Sequence, residues 1–307
     1  MTEPVQIVTT HKKTNIVFSA SSFNLFEWCK RKYKYAHMMR KTLPVFEKPK
    51  PLDRGTIAHK GLEVYFNQLS QGIHFNDRMQ ATLMKMREVA TDPAESNIDI
   101  TEDMPAILSS VEQSCDFWRF EDEHLEILAV ESPFDYILYE DDYIRIIISG
   151  KIDLMVNKPA MNGAAEYKNL PYDHKNITRD FPTDRLDNQF INYCAPTESN
   201  YLVVNKIGMQ KTLKPEEKFK RIPISYDPIF IQQWKDNVVD VVLNDYLPSL
   251  LKNSFPMRMF NCRKFGRLCE FAKVCESTGD DAKRWKLESM YVEREPWDKY
   301  AEGEEEV

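Results

Sequence analysis

The sequence predicts an α/β fold in which a central mixed β-sheet is flanked by helices. Helical spacing of apolar residues dominates the first 120 positions, and two long segments rich in β-branched and aromatic residues follow. Beyond these segments, helical and strand patterns alternate up to about residue 251. Helices first, then a strand meander, then alternating elements are typical of a mixed sheet covered by helices.

The predicted helices share an apolar stripe with a spacing of three and four residues. They cover residues 22–39, 56–69, 75–90, 105–120, 184–195 and 227–251. Ser21 or Ser22 would cap the first helix, and Asp227 with Pro228 would start the last one.

The predicted strands are rich in β-branched and aromatic residues and are bounded by polar turns. They cover residues 127–139, 143–156, 164–170, 200–207 and 218–225. A hairpin turn is expected at 140–142 and a loop at 157–163.

Composition narrows the class of protein. With 41 Lys and Arg against 48 Asp and Glu, the net charge of −7 excludes a uniformly basic surface that coats DNA. Six cysteines in 307 residues are too few for a disulfide framework, and residues 1–13 lack the apolar core of a signal peptide. The most apolar stretch, 144–156, contains charges and is too short to span a bilayer. We therefore expect an intracellular, cytoplasmic protein with no membrane partner.

Charge is nevertheless concentrated locally. Residues 29–60 carry ten basic side chains against two acidic ones, whereas residues 92–142 carry sixteen acidic side chains and the single base Arg119. Such separation suits a polyanion held against one face of the protein. It suits equally well two oppositely charged surfaces that pair with each other.

One acid lies inside an apolar strand pattern. A carboxylate at Asp153, within Ile152-Asp153-Leu154, is costly to bury unless a cation balances it. The next predicted strand contributes Glu166 and Lys168 to one face. If these meet Asp153, a divalent metal could lie between the acids while the lysine orients a water. Alone, such a pattern more often marks solvated surface residues.

The context of these residues resembles a known family. Gly150-Lys151-Ile152-Asp153, then Glu166-Tyr167-Lys168, then Gln189-Phe190-Ile191-Asn192-Tyr193 resemble successive motifs of the RecB-like branch of the PD-(D/E)XK nuclease superfamily. The resemblance implies a restriction-endonuclease-like core. It also implies that Asp153 and Glu166 bind Mg²⁺ or Mn²⁺, that Lys168 assists the attacking water, and that Gln189 and Tyr193 line the site from one helix face.

Two further residues extend the resemblance. Gly55-Thr56-Ile57-Ala58-His59 resembles the family's G-x-x-x-H segment, which implies that His59 joins the metal ligands. An imidazole ligand favours Mn²⁺ over Mg²⁺. Glu131 matches an acid that often precedes the metal strands, where it could be a ligand, a supporting residue or a surface glutamate.

Four cysteines could form a second metal site. Thiols that cluster in a reducing compartment mainly hold metal. The segments around them resemble the split cysteine set of AddB-type and CRISPR-associated RecB-like nucleases, which implies a [4Fe-4S] cluster that joins the N- and C-terminal segments. The implied ligands are Cys29, Cys262, Cys269 and Cys275. Structural Zn²⁺ and free thiols are the alternatives, and Cys115 and Cys194 are assigned to packing.

Basic and aromatic residues interleave near Cys29. We expect Lys30, Arg31, Lys32 and Lys34 to bind nucleic acid, with Phe23 and Trp28 in the core. The alternative is that the basic side chains only cover that core.

The resemblance sets the domain organisation. We assign residues 1–18 to an N-terminal extension, 19–275 to the nuclease domain and 276–307 to a C-terminal extension with an acidic tail. Within the domain, an acidic helical insertion covers about 75–120 and a cysteine segment covers 257–275.

The expected function is metal-dependent hydrolysis of DNA, as an exonuclease on ends or single strands, in recombination, repair, CRISPR adaptation or viral genome processing. The alternative is a catalytically silent DNA-binding scaffold within a helicase-nuclease complex. No G-x-x-x-x-G-K-[ST] motif occurs, so any helicase or recombination partner would be a separate chain.

Overall fold

A six-stranded mixed sheet forms the centre of the protein. The structure is a computed structural model, and it describes residues 13–44, 50–92, 98–160, 166–178, 185–210, 212–264 and 267–294. The predicted acidic tail, the loop at 161–163 and the first part of the strand expected at 164–170 lie outside these residues.

Ten strands are found in the described residues. They are β1 (Thr14–Phe18), β2 (Lys41–Thr42), β3 (Glu126–Glu140), β4 (Ile144–Lys158), β5 (Tyr167–Ile177), β6 (Tyr201–Gly208), β7 (Phe219–Ser225), β8 (Arg263–Lys264), β9 (Arg267–Leu268) and β10 (Val292–Glu293).

Eleven α-helices are found in the same part of the chain. They are α1 (Ala20–Trp28), α2 (Lys30–Tyr33), α3 (Lys50–Ser70), α4 (Phe75–Thr91), α5 (Met104–Asp122), α6 (Asn188–Thr197), α7 (Pro215–Lys218), α8 (Pro228–Val241), α9 (Leu247–Leu251), α10 (Ala272–Cys275) and α11 (Asp280–Met290). Lys34–Met38 and Val242–Tyr246 are π-helical, and Ile98–Glu102 and Met259–Cys262 are 3₁₀-helical.

The sheet has the order β1-β4-β5-β6-β7, and β3 pairs with the other edge of β4. β1 is parallel to β4 and β5 is parallel to β6, whereas the β3–β4, β4–β5 and β6–β7 pairs are antiparallel. This mixed sheet flanked by helices confirms the predicted α/β class.

The long strand β4 changes partners halfway along one edge. β1 pairs with it up to Ile148, and β5 pairs with it only from Leu154 onward. Between these two positions, neither β1 nor β5 pairs with this edge of β4. The resulting opening in the sheet contains Asp153.

Most predicted helices and strands are present, and two differences affect the site. The helix expected at 22–39 is interrupted at Cys29, whose extended backbone separates α1 from α2. β5 continues to Ile177 through Pro171, where a strand end was expected. Pairing with β6 begins only at Tyr172, so the missing N–H of Pro171 leaves no hydrogen bond unmade on that side.

Ser19 caps α1, in place of the expected Ser21 or Ser22. The Ser19 side chain accepts a hydrogen bond from the backbone N–H of Ser22, and the Ser22 side chain accepts one from the backbone N–H of Ser19. This reciprocal pair satisfies two N–H groups at once, so it fixes the start of the helix.

Helices cover both faces of the sheet. On one face, α3, α4 and α5 pack their apolar residues against β4, β5, β6 and β7, with Tyr65, Phe66 and Tyr172 fully buried. On the other face, α1 and α8 pack on β1 and β4, and α6 and α8 pack on β6 and β7. The helices α4 and α5 of the expected insertion therefore form part of the core, where Arg221 of β7 pairs with Asp122 of α5 at 2.6 Å.

The two terminal extensions are partly folded into this structure. Residues 14–18, expected in an N-terminal extension, form β1 of the main sheet. β10, from the predicted C-terminal extension, pairs with β2. Among the described helices, none has the length and apolar character that crossing a membrane requires.

Candidate active site

Asp153 lies on β4 between Ile148, the last residue paired with β1, and Leu154, the first residue paired with β5. Asp153 is 7% exposed, and its Oδ2 accepts a hydrogen bond of 2.7 Å from the backbone N–H of His174. Burial and the nearby Glu131 carboxylate raise the pKa of Asp153, although His59 opposes this. A carboxylate held in this way needs a positive charge close by.

Glu131 lies on β3 beside Asp153. Its neighbours Val130 and Ser132 pair with Leu154 and Ile152, which places Glu131 opposite Asp153. Its φ of 47° is in the left-handed region, which is costly for glutamate in a strand. Backbone strain of this kind is typically kept where function requires a particular side-chain direction.

His59 of α3 completes a group of three potential metal ligands. One ligand atom each from His59, Glu131 and Asp153 lies within 4.8 Å of the other two. The His59 Nδ1 atom is 3.6 Å from Asp153 Oδ2 and 3.7 Å from Glu131 Oε1. Its Nε2 is 2.9 Å from the carbonyl oxygen of His174.

The hydrogen bond to His174 fixes the direction of the His59 ring. A carbonyl oxygen can only accept, so Nε2 carries a proton and Nδ1 is turned towards the carboxylates. Burial lowers the pKa of His59, but the Asp153 and Glu131 carboxylates outweigh it and raise that pKa to about 9. The site therefore attracts a cation, either a proton or a metal ion, at Nδ1.

Asp173 and Lys175 reach the same region from β5. The Asp173 side chain is fully buried, and the Lys175 ammonium is 2.8 Å from its Oδ2. Burial raises the pKa of Asp173 to about 7, with a further contribution from Asp153, although Lys175 lowers it. Alternation along the strand places Asp173 and Lys175 on one face and His174 on the other.

Gln189 of α6 connects this acid and lysine. Asp187 caps the helix by accepting a hydrogen bond from the Gln189 backbone N–H. The Gln189 Nε2 donates to Asp173 Oδ1 at 2.9 Å, and its Oε1 accepts from the Lys175 ammonium at 3.1 Å. Its amide thus holds both groups in one orientation.

Tyr193 lies one helical turn beyond Gln189. The Gln189 Nε2 also donates to the Tyr193 hydroxyl at 3.3 Å. Burial raises the pKa of Tyr193 well above its ordinary value, and Asp153 and Asp173 add to this. The hydroxyl therefore stays protonated beside the carboxylates.

The donor set fits a divalent cation. The Glu131 and Asp153 carboxylates lie beside one imidazole, and the Asp173 carboxylate interacts electrostatically with Asp153. Such acids repel each other unless a cation lies among them. The buried Oδ2 of Asp173 accepts no hydrogen bond although it lies beside the Lys175 ammonium. Oxygen ligands suit Mg²⁺, and a single imidazole is also compatible with Mn²⁺.

The structure does not bring Glu166 and Lys168 to this group. Their side chains are 59% and 74% exposed, and the Lys168 ammonium is 3.9 Å from the Glu166 carboxylate. They lie at the start of β5, near the position where Tyr167 pairs with Lys158. The acid and lysine that lie near Asp153 are Asp173 and Lys175, seven residues later.

The sequence contained a signal for the missed pair. Tyr172-Asp173-His174-Lys175 repeats the acid-x-lysine pattern of Glu166-Tyr167-Lys168. The predicted strand ended at residue 170, before Pro171, so Asp173 and Lys175 were not expected to lie in the sheet. His59, Asp153, Gln189 and Tyr193, by contrast, lie together where the motifs placed them.

The structure also brings Cys29 close to the C-terminal cysteine segment. Cys29 follows Trp28, whose Nε1 donates to the backbone oxygen of Asn261, the residue before Cys262. The Cys269 backbone N–H donates to the Cys262 oxygen at 2.7 Å. Burial raises the pKa of Cys275, and the thiols of Cys269 and Cys29 add to this.

Each of the four basic residues expected to bind nucleic acid has a partner within the protein. Lys30 pairs with Asp245, and Lys32 pairs with Glu270 at 2.9 Å. Arg31 donates to the Phe255 backbone oxygen at 3.3 Å, and Lys34 donates to the Asn253 side chain at 2.9 Å. These contacts hold α2 and the turn after it against the C-terminal half, which favours the alternative of a structural role.

Comparison with known families gives one match. The model described as the PD-(D/E)XK nuclease superfamily matches residues 17–276, which include every residue of this site. No curated protein matches the chain.

Proposed function

Because the chain belongs to the PD-(D/E)XK nuclease superfamily, we propose that it hydrolyses DNA phosphodiester bonds at DNA ends or in single strands, using Mg²⁺ or Mn²⁺. The observation that carries this proposal is that the His174 backbone N–H, between Asp173 and the paired Lys175 on β5, donates to Asp153 at the opening in the sheet. We infer that Asp173 and Lys175 have the roles that the resemblance assigned to Glu166 and Lys168.

The metal ligands in this proposal are Asp153 and Asp173, with Glu131 and His59 beside them. A divalent ion held there would polarise the phosphoryl oxygen and lower the pKa of a bound water. His59 would bind through Nδ1, because its Nε2 hydrogen is taken by the His174 carbonyl. Protons on His59 and Asp173 would leave when the ion binds.

Lys175 is proposed to position the attacking water and to stabilise charge on the phosphoryl group. Its ammonium can donate three hydrogen bonds, of which Asp173 and Gln189 accept two. The third can point to a water or a phosphate oxygen. Gln189 and Tyr193 act as positioning residues, since they hold the acid and the lysine.

The finer parts of this proposal rest on the sequence resemblance. They are the exonuclease mode, a role in recombination, repair, CRISPR adaptation or viral genome processing, and a [4Fe-4S] cluster or structural Zn²⁺ on Cys29, Cys262, Cys269 and Cys275. The approach of Cys29 to the C-terminal cysteines supports the cysteine site.

The decisive experiment compares the two acid-x-lysine pairs. Wild-type protein is incubated with end-labelled single- and double-stranded DNA and Mn²⁺, alongside Asp173→Asn and Lys175→Ala. We expect these variants to lose activity by about two to three orders of magnitude, because each removes several kcal/mol of transition-state stabilisation. The matched controls Glu166→Gln and Lys168→Ala should stay within about twofold of the wild type.

Three results would contradict parts of this proposal. Loss of activity in Glu166→Gln with retention in Asp173→Asn would return the site to the first pair. Wild type and variants that are equally inert would favour a silent DNA-binding scaffold. Cleavage of circular single-stranded DNA at the rate of linear DNA would exclude an exonuclease, because a circle has no end.

A further inference from the structure

An exposed aromatic surface lies beside the cysteine segment. Phe260 is 101% exposed and Met259 is 74% exposed, both in the 3₁₀ turn that leads to Cys262. Leu268 of β9 is 49% exposed and Trp28 is 37% exposed. A phenylalanine ring fully in water buries no apolar area within the fold, so covering it with a ligand would be favourable.

The same segment is strongly basic. Arg258, Arg263 and Arg267 are all exposed, and the sequence contains no acidic residue between Asp245 and Glu270. This is the reverse of α2, where acidic and polar partners engage the basic side chains. Positive charge and exposed apolar side chains therefore lie together on Arg258, Met259, Phe260, Arg263, Arg267 and Leu268, hereafter the 258–268 surface.

Hydrogen bonds hold this surface in place. Trp28 Nε1 donates to the Asn261 oxygen at 3.1 Å, and the Asn261 side chain donates back to the Trp28 oxygen. The Cys269 N–H donates to the Cys262 oxygen and closes the β8–β9 hairpin. Phe260 is thus presented from an anchored turn.

Helix α1 links the 258–268 surface to the candidate active site. Asn24 and Trp28 are exposed and four residues apart, so they share one face of the helix, about 6 Å apart along its axis. The Asn188 side chain donates to the Asn24 side chain, and the next residue, Gln189, contacts Asp173. On α1, the residue that contacts α6 (Asn24) is therefore one helical turn from the residue that contacts the 258–268 surface (Trp28).

We propose that the 258–268 surface binds a single strand of nucleic acid, with a base stacked on Phe260 and phosphates on Arg258, Arg263 and Arg267. Stacking on an aromatic ring beside basic side chains is how single strands are held without sequence preference. The strand would continue along α1 to the active site, and this last part rests on the proposed function. An anionic membrane surface would also accept basic and apolar groups, but the separately displayed ring and the nearby phosphodiesterase site favour a nucleic acid.

The test measures binding of fluorescein-labelled dT20 to anaerobically purified full-length protein, without added divalent ions so that no hydrolysis occurs. Phe260→Ala should weaken binding by between about fivefold and about 150-fold, since one stacked base is lost. Its control is Phe120→Ala, because Phe120 is 66% exposed on the acidic helix α5. That control should bind as the wild type does.

A second pair of variants tests the arginines. The double variant Arg263→Glu, Arg267→Glu should lose two phosphate contacts. The slope of log affinity against log salt concentration should therefore become shallower by about 1.4, since each single-strand phosphate contact contributes about 0.7. Arg87→Glu, an exposed residue of α4, should leave the slope unchanged. Because Phe260 touches no core residue, its variant remains informative if the double variant fails to fold.

Failure of this inference differs from failure of the proposed function. Unchanged dT20 affinity in Phe260→Ala, or no dT20 binding by the wild type, would overturn the inference even if DNA is hydrolysed. So would tighter binding to phosphatidylserine vesicles than to dT20, with loss of vesicle binding in Phe260→Ala. Phe260-dependent binding by a wild-type protein that hydrolyses no DNA would support the inference and refute only the proposed function.

Discussion

At the scale of single residues, the ring of His59 shows how one hydrogen bond orients an imidazole that we propose as a metal ligand. The His174 carbonyl occupies Nε2, so the other nitrogen must face Asp153 and Glu131. Without a metal, these carboxylates draw a proton to that nitrogen and raise the pKa of His59 to about 9. The proton and the metal ion therefore compete for one position.

This competition predicts the pH dependence of stability. The pKa of His59 is raised from 6.5 to about 9 and that of Asp173 from 3.8 to about 7. A raised pKa stabilises the fold fully at pH values below the unfolded pKa, and this stabilisation is lost as the pH rises through the folded pKa. The free energy of unfolding of metal-free protein, and with it the Tm, should therefore fall between about pH 4 and pH 7 through Asp173 and between about pH 6.5 and pH 9 through His59, each by at most about 1.4 kcal/mol per pH unit.

Thermal melts from pH 6.5 to pH 9, with and without Mg²⁺, measure this effect. The rise in Tm caused by Mg²⁺ should grow with pH, because the ion no longer displaces protons. His59→Gln should flatten the metal-free profile over this range, whereas Glu166→Gln should leave it unchanged. A wild-type profile that rises with pH would show that His59 does not carry this proton.

At the scale of elements, strand β5 shows what the sequence could and could not predict. The residues of the site that lie inside clear helical or strand patterns, Asp153, Gln189 and Tyr193, were predicted with their neighbours. The position of Asp173 and Lys175 near Asp153 was not, because the acid-x-lysine pattern occurs twice and only the pairing of β5 with β4 and β6 distinguishes the copies. Tertiary pairing carries Pro171 inside a strand, and local propensity contains no information about that.

The pairing of β3 with β4 places a glycine under an aromatic ring. Gly150 lies opposite Phe134, and a Cβ added at Gly150 would be 2.6 Å from Cζ of that ring. Phe134 in turn contacts the ring of Tyr193, with 6.4 Å between centroids. Glycine at position 150 therefore leaves room for the Phe134 ring, which contacts Tyr193 of the candidate active site.

Gly150→Ala should consequently destabilise the protein by about 1–3 kcal/mol, because the methyl group overpacks the sheet face. The control is Gly55→Ala in α3, where nothing lies within 4 Å of the added Cβ. There the change should stabilise by about 0.5–1 kcal/mol, since alanine is favoured over glycine inside a helix. Urea unfolding measures both, and equal effects of the two substitutions would contradict the packing argument.

At the scale of the whole molecule, the two ends of the chain are joined at several points that no local pattern predicts. β1 enters the main sheet beside β4, β10 pairs with β2, and Arg40 pairs with Glu293. Trp28 and Asn261, 233 residues apart, exchange hydrogen bonds. The cysteines lie at this junction, so a metal bound by them would cross-link the ends of the fold.

Such a cross-link predicts a coupled loss of metal and stability. Restricting a loop of this length in the unfolded chain contributes about 2–5 kcal/mol when a covalent bridge closes it, and a metal bridge should act similarly. Cys29→Ser and Cys275→Ser should therefore lose the bound metal and a comparable free energy of unfolding. Cys194→Ala, which changes a buried thiol in α6, should keep the metal and cost only the small cavity.

Anaerobic purification, metal analysis and a visible spectrum then distinguish the two metals proposed for this junction. A coloured protein containing iron and sulfide would support the [4Fe-4S] cluster, whereas a colourless protein with stoichiometric zinc would refute it. Metal content and stability that are both unchanged in Cys29→Ser would mean that only the hydrogen bonds and strand pairs join the ends. In that case the hydrogen bonds between Trp28 and Asn261 would be among the contacts that position the 258–268 surface, and Trp28→Ala should then weaken dT20 binding.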